Sequence, residues 1–277
     1  MKTIFTGFSP NLTTSQVREA LLWLLYPLRW LKWQRGDAVN RVEMWLRGYF
    51  GIPHAYTFDS GRSALFFALQ AIDIQQGDEV LVQGYTCMVV SNAIIWAGGK
   101  PVYVDIGSDL NMDVQNLAKK ITPHSKVIVI QHTFGQPADL GPILELAKKH
   151  NLRIIEDCAH SLGAKYKGTL TGTLGDIGML SFGGDKVVSC GRGGALITKD
   201  AFLAKRIEKF QKNLKPLSNF IIFQHLIHYP IFFLGKKYYT FGVGKWLLAL
   251  TKKFHITHRI IETKEKQGKP ISYAPSQ

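Results

Sequence analysis

Between residues 55 and 199, short apolar runs alternate with stretches whose apolar residues recur at helical spacing. The runs predict strands over Glu79–Val82, Pro101–Val104, Lys126–Ile130, Arg153–Glu156, Gly178–Phe182 and Ala195–Thr198. The amphipathic stretches predict helices over Ser63–Ile72, Met88–Ala97, Val114–Lys120 and Leu140–His150. Strands alternating with helices of this length argue for βαβ units and a mostly parallel sheet. Right-handed crossovers then line up the strand ends along one edge, where ligands of such sheets bind. Before this region, Ser15–Trp33 mixes Leu and Trp with Arg and Lys and reads as a helix capped by Ser15 and kinked at Pro27. After it, the texture turns aromatic and basic. Phe220–Leu234 is apolar but interrupted by Gln224, His225, His228 and Pro230, and an amphipathic run follows over Lys245–Phe254. No stretch is long and apolar enough for a transmembrane helix. The tail either lies at a membrane interface or covers a core or subunit surface. These changes of texture divide the chain into an N-terminal helical segment (1–50), a large domain (51–213) and a tail (214–277). No repeat or low-complexity tract is present.

Composition narrows the classes. A hydrophobic fraction of 46% against 19% charged residues supports a large core and excludes a disordered chain. The net charge of +14 favours anionic partners. A nucleic-acid binder is disfavoured, since no zinc finger, recognition-helix or RNP signature accompanies the charge. Three cysteines, Cys87, Cys158 and Cys190, with no CxxC pair, argue against a disulfide framework and against a metal site, and fit the reducing cytoplasm. Met1–Thr14 is too polar for a secretory signal.

Three stretches carry chemistry. In Ile154–His160 (IIEDCAH) a β-branched run ends on a carboxylate, so Asp157 sits at a strand end, where a cationic ring N–H would satisfy it. Taken alone, such an Asp is more often a turn or cap. In Gly175–Lys186 (GDIGMLSFGGDK) a short strand leads to a Gly-Gly turn presenting Lys186, an amine able to attack an aldehyde once partly desolvated. Most such lysines are exposed loop residues, and Ser181 just before it either binds phosphate or caps a turn. In Asp59–Leu65 (DSGRSAL) a polar turn opens a helix whose first N–H groups, with Arg62, favour phosphate, although an ordinary N-cap explains the turn as well.

In their order along the chain, the helix start at Ser60-Gly61, then the strand-end Asp157, then the Gly-flanked Lys186, and together with Gly98–Asp105 (GGKPVYVD), Ile155–Tyr166 (IEDCAHSLGAKY) and Gly193-Gly194-Ala195, the stretches resemble the DegT/DnrJ/StrS sugar aminotransferases, which are pyridoxal-phosphate (PLP) enzymes of fold type I. The resemblance covers about residues 40–210. It implies an α/β fold of three layers, α/β/α, around a mostly parallel mixed sheet. It implies that Lys186 holds PLP as a Schiff base and shuttles the proton, and that Asp157 pairs with the pyridine nitrogen. Ser181, the Ser60-Gly61 turn and Arg62 would hold the phosphate, Gly61 and Arg62 partly through backbone N–H groups. His160 would lie beside the ring. The family places an aromatic residue just after a Thr to stack on the ring; here Thr86 is followed by Cys87, which leaves Tyr85 as the candidate. The implied reaction moves an amino group from an amino acid, usually glutamate, to a keto sugar linked to a nucleotide, for surface polysaccharide or glycan synthesis, in a homodimer. The alternatives are another PLP activity, such as a desulfurase, and a catalytically weak or regulatory relative at the inner face of the membrane. The family normally continues into a smaller C-terminal domain, and Tyr273–Gln277 reads as the lead-in to it, so that domain is expected to be incomplete here.

Overall fold

The computed structural model describes residues 12–34, 36–254 and 256. The closing Tyr273–Gln277 and most of the polar stretch Met1–Thr14 lie outside them. The chain divides into two compact units. One takes in the chain up to Asp37, the segment Phe182–Arg192 and the chain from Lys215; the other takes in Ala38–Ser181 and Gly193–Leu214.

The second unit is built on a seven-stranded sheet. Its strands are β1 (His54–Phe58), β2 (Glu79–Gln83), β3 (Lys100–Val104), β4 (Ser125–Gln131), β5 (Arg153–Asp157), β8 (Ile177–Ser181) and β9 (Gly194–Thr198), in the order β1-β9-β8-β5-β4-β2-β3. β9 pairs antiparallel with both β1 and β8, and the remaining pairs are parallel, so six strands share one direction. The two short strands β6 (Lys165–Tyr166) and β7 (Thr169–Leu170) form a separate hairpin.

Alternation along the strands builds two cores. Val80, Val82, Val127, Val129 and Ile155 face one layer, which holds α4 (Gly61–Ala71), α5 (Met88–Trp96) and α8 (Ala201–Lys212). Leu81, Ile128, Ile130 and Ile154 face the other, which holds α6 (Val114–Lys120) and α7 (Leu140–His150). Both faces are covered, which is why these strands read as continuous apolar runs rather than alternating ones. Each fully buried Leu or Ile contributes about 2 kcal/mol. The three-layer α/β/α expectation therefore holds. The helix α3 (Ala38–Phe50) belongs to this unit, burying Leu46 and Phe50, although the sequence pattern groups it with the N-terminal segment. β1 was not expected: its burial is mixed and its run is broken by polar residues.

In the first unit, α1 (Thr14–Leu25) is capped by Thr13 and not by Ser15. Thr13 Oγ1 accepts from Gln16 N–H and Gln16 Oε1 accepts from Thr13 N–H, a reciprocal box that needs Gln three residues on. Pro27 does not kink this helix but ends it. Tyr26 is extended and Pro27 occupies the first turn of a short α2 (Pro27–Trp30), where a missing N–H costs nothing. The helices α9 (Asn219–Lys237) and α10 (Val243–Lys253) complete the unit. Among the described residues, no helix is long and apolar enough to cross a membrane.

Candidate active site

Because six strands run the same way, Phe58, Gln83, Gln131, Asp157 and Ser181 end β1, β2, β4, β5 and β8 on one edge. The start of α4 closes onto that edge. Ser60 is its N-cap: its hydroxyl accepts from Ser63 N–H at 3.2 Å and donates to Asp59 at 3.1 Å, while Ser63 Oγ also donates to Asp59. The Ser60 hydroxyl is thus engaged in the cap. The first i→i−4 bond of the helix runs from Ala64 N–H to Ser60 C=O, so the N–H groups of Gly61 and Arg62 precede the helical ladder.

Gly61 is required here. A Cβ on it would lie 2.8 Å from both Cβ and Oγ of Ser181. Gly194, paired with Ser181 across β8 and β9, lies so close to the Ser60-Gly61 backbone that a Cβ there would overlap it. Ser181 Oγ, the Gly61 amide and the helix start are thereby held together, a donor set suited to a phosphate. The Arg62 side chain goes elsewhere: its guanidinium lies 5.6 Å from the centroid of the Trp96 ring.

Asp157 is buried at the end of β5, and its Oδ1 accepts from Ala159 N–H at 3.0 Å. It pairs in register with Met179, so Ser181 lies two residues further along the neighbouring strand, about 8 Å away between Cα atoms. Beside Asp157, a cavity of about 230 Å³ is lined by Tyr85, Thr86, Cys87, Gln131, Thr133, Phe134 and His160. Here Phe134 and His160 stack at 5.8 Å with their planes 5° apart, and Tyr85 meets Phe134 edge-on at 6.2 Å. Cys87 is exposed and caps α5 without a side-chain bond. Tyr85, Cys87 and His160 are therefore brought to one cavity.

Gln131, Thr133 and Phe134 escaped the sequence reading, which ended its strand at Ile130. The legible signal was the switch from the VIVI run to polar Gln131-His132-Thr133 at a strand end. They carry a hydrogen-bonded floor. Thr86 Oγ1 donates to Gln131 Oε1 at 2.7 Å, Thr133 Oγ1 accepts from Gln83 Nε2 at 3.0 Å, and Thr133 N–H donates to Asn111 Oδ1 at 2.9 Å. Phe134 is held in the left-handed region (φ 52°), which turns its ring, 68% exposed, into the cavity mouth.

Below this floor, Glu156 braces the strand ends. Its carboxylate accepts from the N–H groups of Gly172, Leu174 and Gly175 at 2.7–2.8 Å and bonds His132 Nε2 at 3.1 Å. Burial alone would raise its pKa, but the His132 and glycine hydrogen bonds outweigh it and hold the carboxyl below its ordinary range. His132 Nδ1 accepts from Ala138 N–H at 3.1 Å, so the proton of the neutral ring sits on Nε2, facing Glu156. Cys158, whose thiol burial pushes well up, lies within 4.8 Å of both. The ligating atoms of His132 and Glu156 are already engaged with the protein, so this cluster is a brace and not a metal centre.

Lys186 belongs to the other unit. It sits on the loop between β8 and β9, whose two ends are the paired Ser181 and Gly194. Its N–H donates to Gly183 C=O at 3.0 Å, and its side chain, 17% exposed, has Nζ 3.3 Å from Asp185 Oδ2. The loop is held to its own unit by Gln16 Nε2, which donates to Ser189 C=O at 3.4 Å.

The sequence model of the DegT/DnrJ/EryC1/StrS aminotransferase family matches residues 23–218. GDP-perosamine synthase of Escherichia coli O157:H7 is 39% identical over 178 residues, covering 64% of this chain and 49% of that protein. UDP-N-acetyl-3-dehydro-alpha-D-glucosamine 3-aminotransferase of Acidithiobacillus ferrooxidans is 38% identical over 174 residues, covering 62% and 47%. The crystal structure of an aminotransferase from Psychrobacter cryohalolentis superposes with a TM-score of 0.68 at 33% identity, covering 76% of this chain and 53% of that one. The chain spans about half the length of the curated relatives it matches.

Proposed function

The chain belongs to the DegT/DnrJ/EryC1/StrS aminotransferase family, and from that membership we propose that it is a PLP-dependent transaminase that moves an amino group from an amino acid to a nucleotide-linked keto sugar for polysaccharide synthesis. The observation that carries this reading is the convergence of the α4 start, Ser181 and Asp157 on one sheet edge beside an aromatic-lined cavity. The donors fit the cofactor: a helix start and a hydroxyl for its phosphate, a buried carboxylate for its ring nitrogen, aromatic faces for its ring.

When bound, PLP supplies an electron sink for proton loss at the Cα of the amino acid. Asp157 would accept a hydrogen bond from the ring N–H and would hold the positive charge there. Ala159 N–H fixes the carboxylate that does so. Ser181 and the Gly61 and Arg62 amides hold the phosphate. Tyr85 and Phe134 supply the aromatic surface that Cys87 lacks, and His160, stacked on Phe134, bounds the cavity. The Lys186 amine would hold the cofactor and would carry the proton at Cα. The Cα of Lys186 itself is five residues from that of Ser181, a backbone span of at most about 18 Å. The names of the relatives, one for making a GDP-linked sugar and one for aminating a UDP-linked 3-dehydro sugar, support a nucleotide-linked keto sugar as acceptor, and the net charge of +14 suits a nucleotide diphosphate. A homodimer and a cytoplasmic location belong to the same proposal, the latter supported by unpaired cysteines.

The test is chemical. The full chain incubated with PLP and then reduced with borohydride is expected to carry the cofactor mass on the peptide containing Lys186, and glutamate added before reduction is expected to discharge it. Labelling of a different lysine, or none, would overturn the reading.

A further inference from the structure

The α10 helix presents an apolar arc that its own unit does not use. Gly244 and Thr251 are buried and Leu247 and Leu248 half-buried, so one side of α10 is turned inward. That orientation is set by close approach to α9. A Cβ on Gly244 would overlap the Gly235 carbonyl oxygen, and a Cβ on Gly235 would lie 2.8 Å from Leu248 Cγ. Val243, Trp246 and Leu250 then fall on another arc, within about 60° of one another at 100° per residue. They are 66%, 72% and 43% exposed. Phe254, just after the helix, falls at the edge of the same arc by that spacing and is 66% exposed. Single exposed apolar residues are ordinary; a contiguous stripe centred on Trp is not.

Charge indicates what covers it. No Asp or Glu occurs from residue 209 to residue 261. Lys236, Lys237, Lys245 and Lys253 are exposed in the same unit. Lys237 Nζ lies 5.5 Å from the Tyr238 ring and Lys245 Nζ 5.2 Å from the Tyr239 ring, so cations border the aromatic surface. An apolar arc with Trp, edged by lysines and free of carboxylates, complements a surface that is apolar within and anionic at its face. A second copy of this chain, which would meet lysine with lysine, matches it less well.

We propose that α10 is an interfacial helix that lays Val243, Trp246 and Leu250 into an anionic phospholipid surface while the lysines meet the headgroups. The helix lies on the bilayer and not through it, in keeping with its 11 residues. This inference is independent of the transaminase reading.

Flotation of the full chain with vesicles tests it. Binding is expected to vesicles of equal phosphatidylglycerol and phosphatidylcholine, not to pure phosphatidylcholine, and to weaken as salt is raised. Trp246→Ser with Leu250→Ser is expected to cut partitioning by about tenfold or more, since both apolar side chains leave the membrane. Both positions are exposed, and an unchanged circular dichroism spectrum and melting profile will show that the fold is kept. Lys237→Gln and Lys245→Gln are each expected to cost about fivefold. No binding to the anionic vesicles, or binding indifferent to the Trp246 and Leu250 changes, overturns the proposal. So does a dimer in sedimentation velocity that those two changes dissociate without any vesicle binding. No readout involves the cofactor, so failure here leaves the transaminase reading standing, and the reverse.

Discussion

Gly61 and Ser181 touch with no room for a side chain between them: a Cβ on Gly61 would meet Ser181 Cβ and Oγ at 2.8 Å. This contact joins the start of α4 to the end of β8, two elements 120 residues apart in the chain, and places a hydroxyl beside the helix-start amides.

The Gly61–Ser181 contact makes Gly61→Ala a sensitive test of the phosphate cradle. Overpacking of this kind costs about 1–3 kcal/mol. It is expected to weaken PLP binding about tenfold, because Ser181 must move away from the helix start. Ser181→Ala, which removes one hydrogen bond to a charged group, is expected to weaken it by about the same factor. Fluorescence titration with PLP reads both. Unchanged affinity in both variants would place the phosphate elsewhere.

Asp157→Asn separates charge from structure. The Asn carbonyl still accepts from Ala159 N–H, so the end of β5 is expected to keep its geometry. The anionic partner of the ring nitrogen is lost. The half-reaction with glutamate is expected to slow on the order of 100-fold, the effect of one preorganised electrostatic group, with little change in melting temperature. Single-turnover absorbance measurements check the rate. A variant as fast as the parent would remove Asp157 from the site.

Glu156 predicts an acid-sensitive fold. Its folded pKa lies below the ordinary value of 4.5. Its contribution is therefore complete above that value and is lost as pH falls through the lower folded pKa. Glu156→Gln replaces the carboxylate that His132 and three backbone N–H groups share, and is expected to cost about 3 kcal/mol at neutral pH. The variant is also expected to lose part of the stability decline below pH 4.5. Urea denaturation across the acid range reads both effects. An unchanged pH slope would mean that other carboxylates carry the acid sensitivity.

Much of the fold was legible because a sheet buried on both faces demands uninterrupted apolar runs. Val127–Ile130 and Ile154–Ile155 announce themselves in that way, and each of the six expected strands lies within a residue or two of its expected bounds, while β1 and the short β6 and β7 were not expected. β1 was hidden because its two buried residues, Ala55 and Phe58, are separated by half-exposed ones and fall out of the two-residue alternation of a strand. At the helix ends, competing caps decided. Thr13 took the place expected of Ser15 because Gln16 completes its box, and Ser60 bonds within its own cap because Asp59 and Ser63 stand beside it.

What the linear chain determined was the type of each strong element, the order of Gly61, Asp157 and Lys186, and the family those motifs mark. These depend on local periodicity and on residues close in the chain. What only the tertiary structure decided was which distant groups meet. Ser181 reaches Gly61, Arg62 turns to Trp96, and Phe134, through a left-handed backbone, joins His160 and Tyr85. Such contacts arise from strand order and crossover packing, which bring together segments whose separation along the chain says nothing of their distance in space.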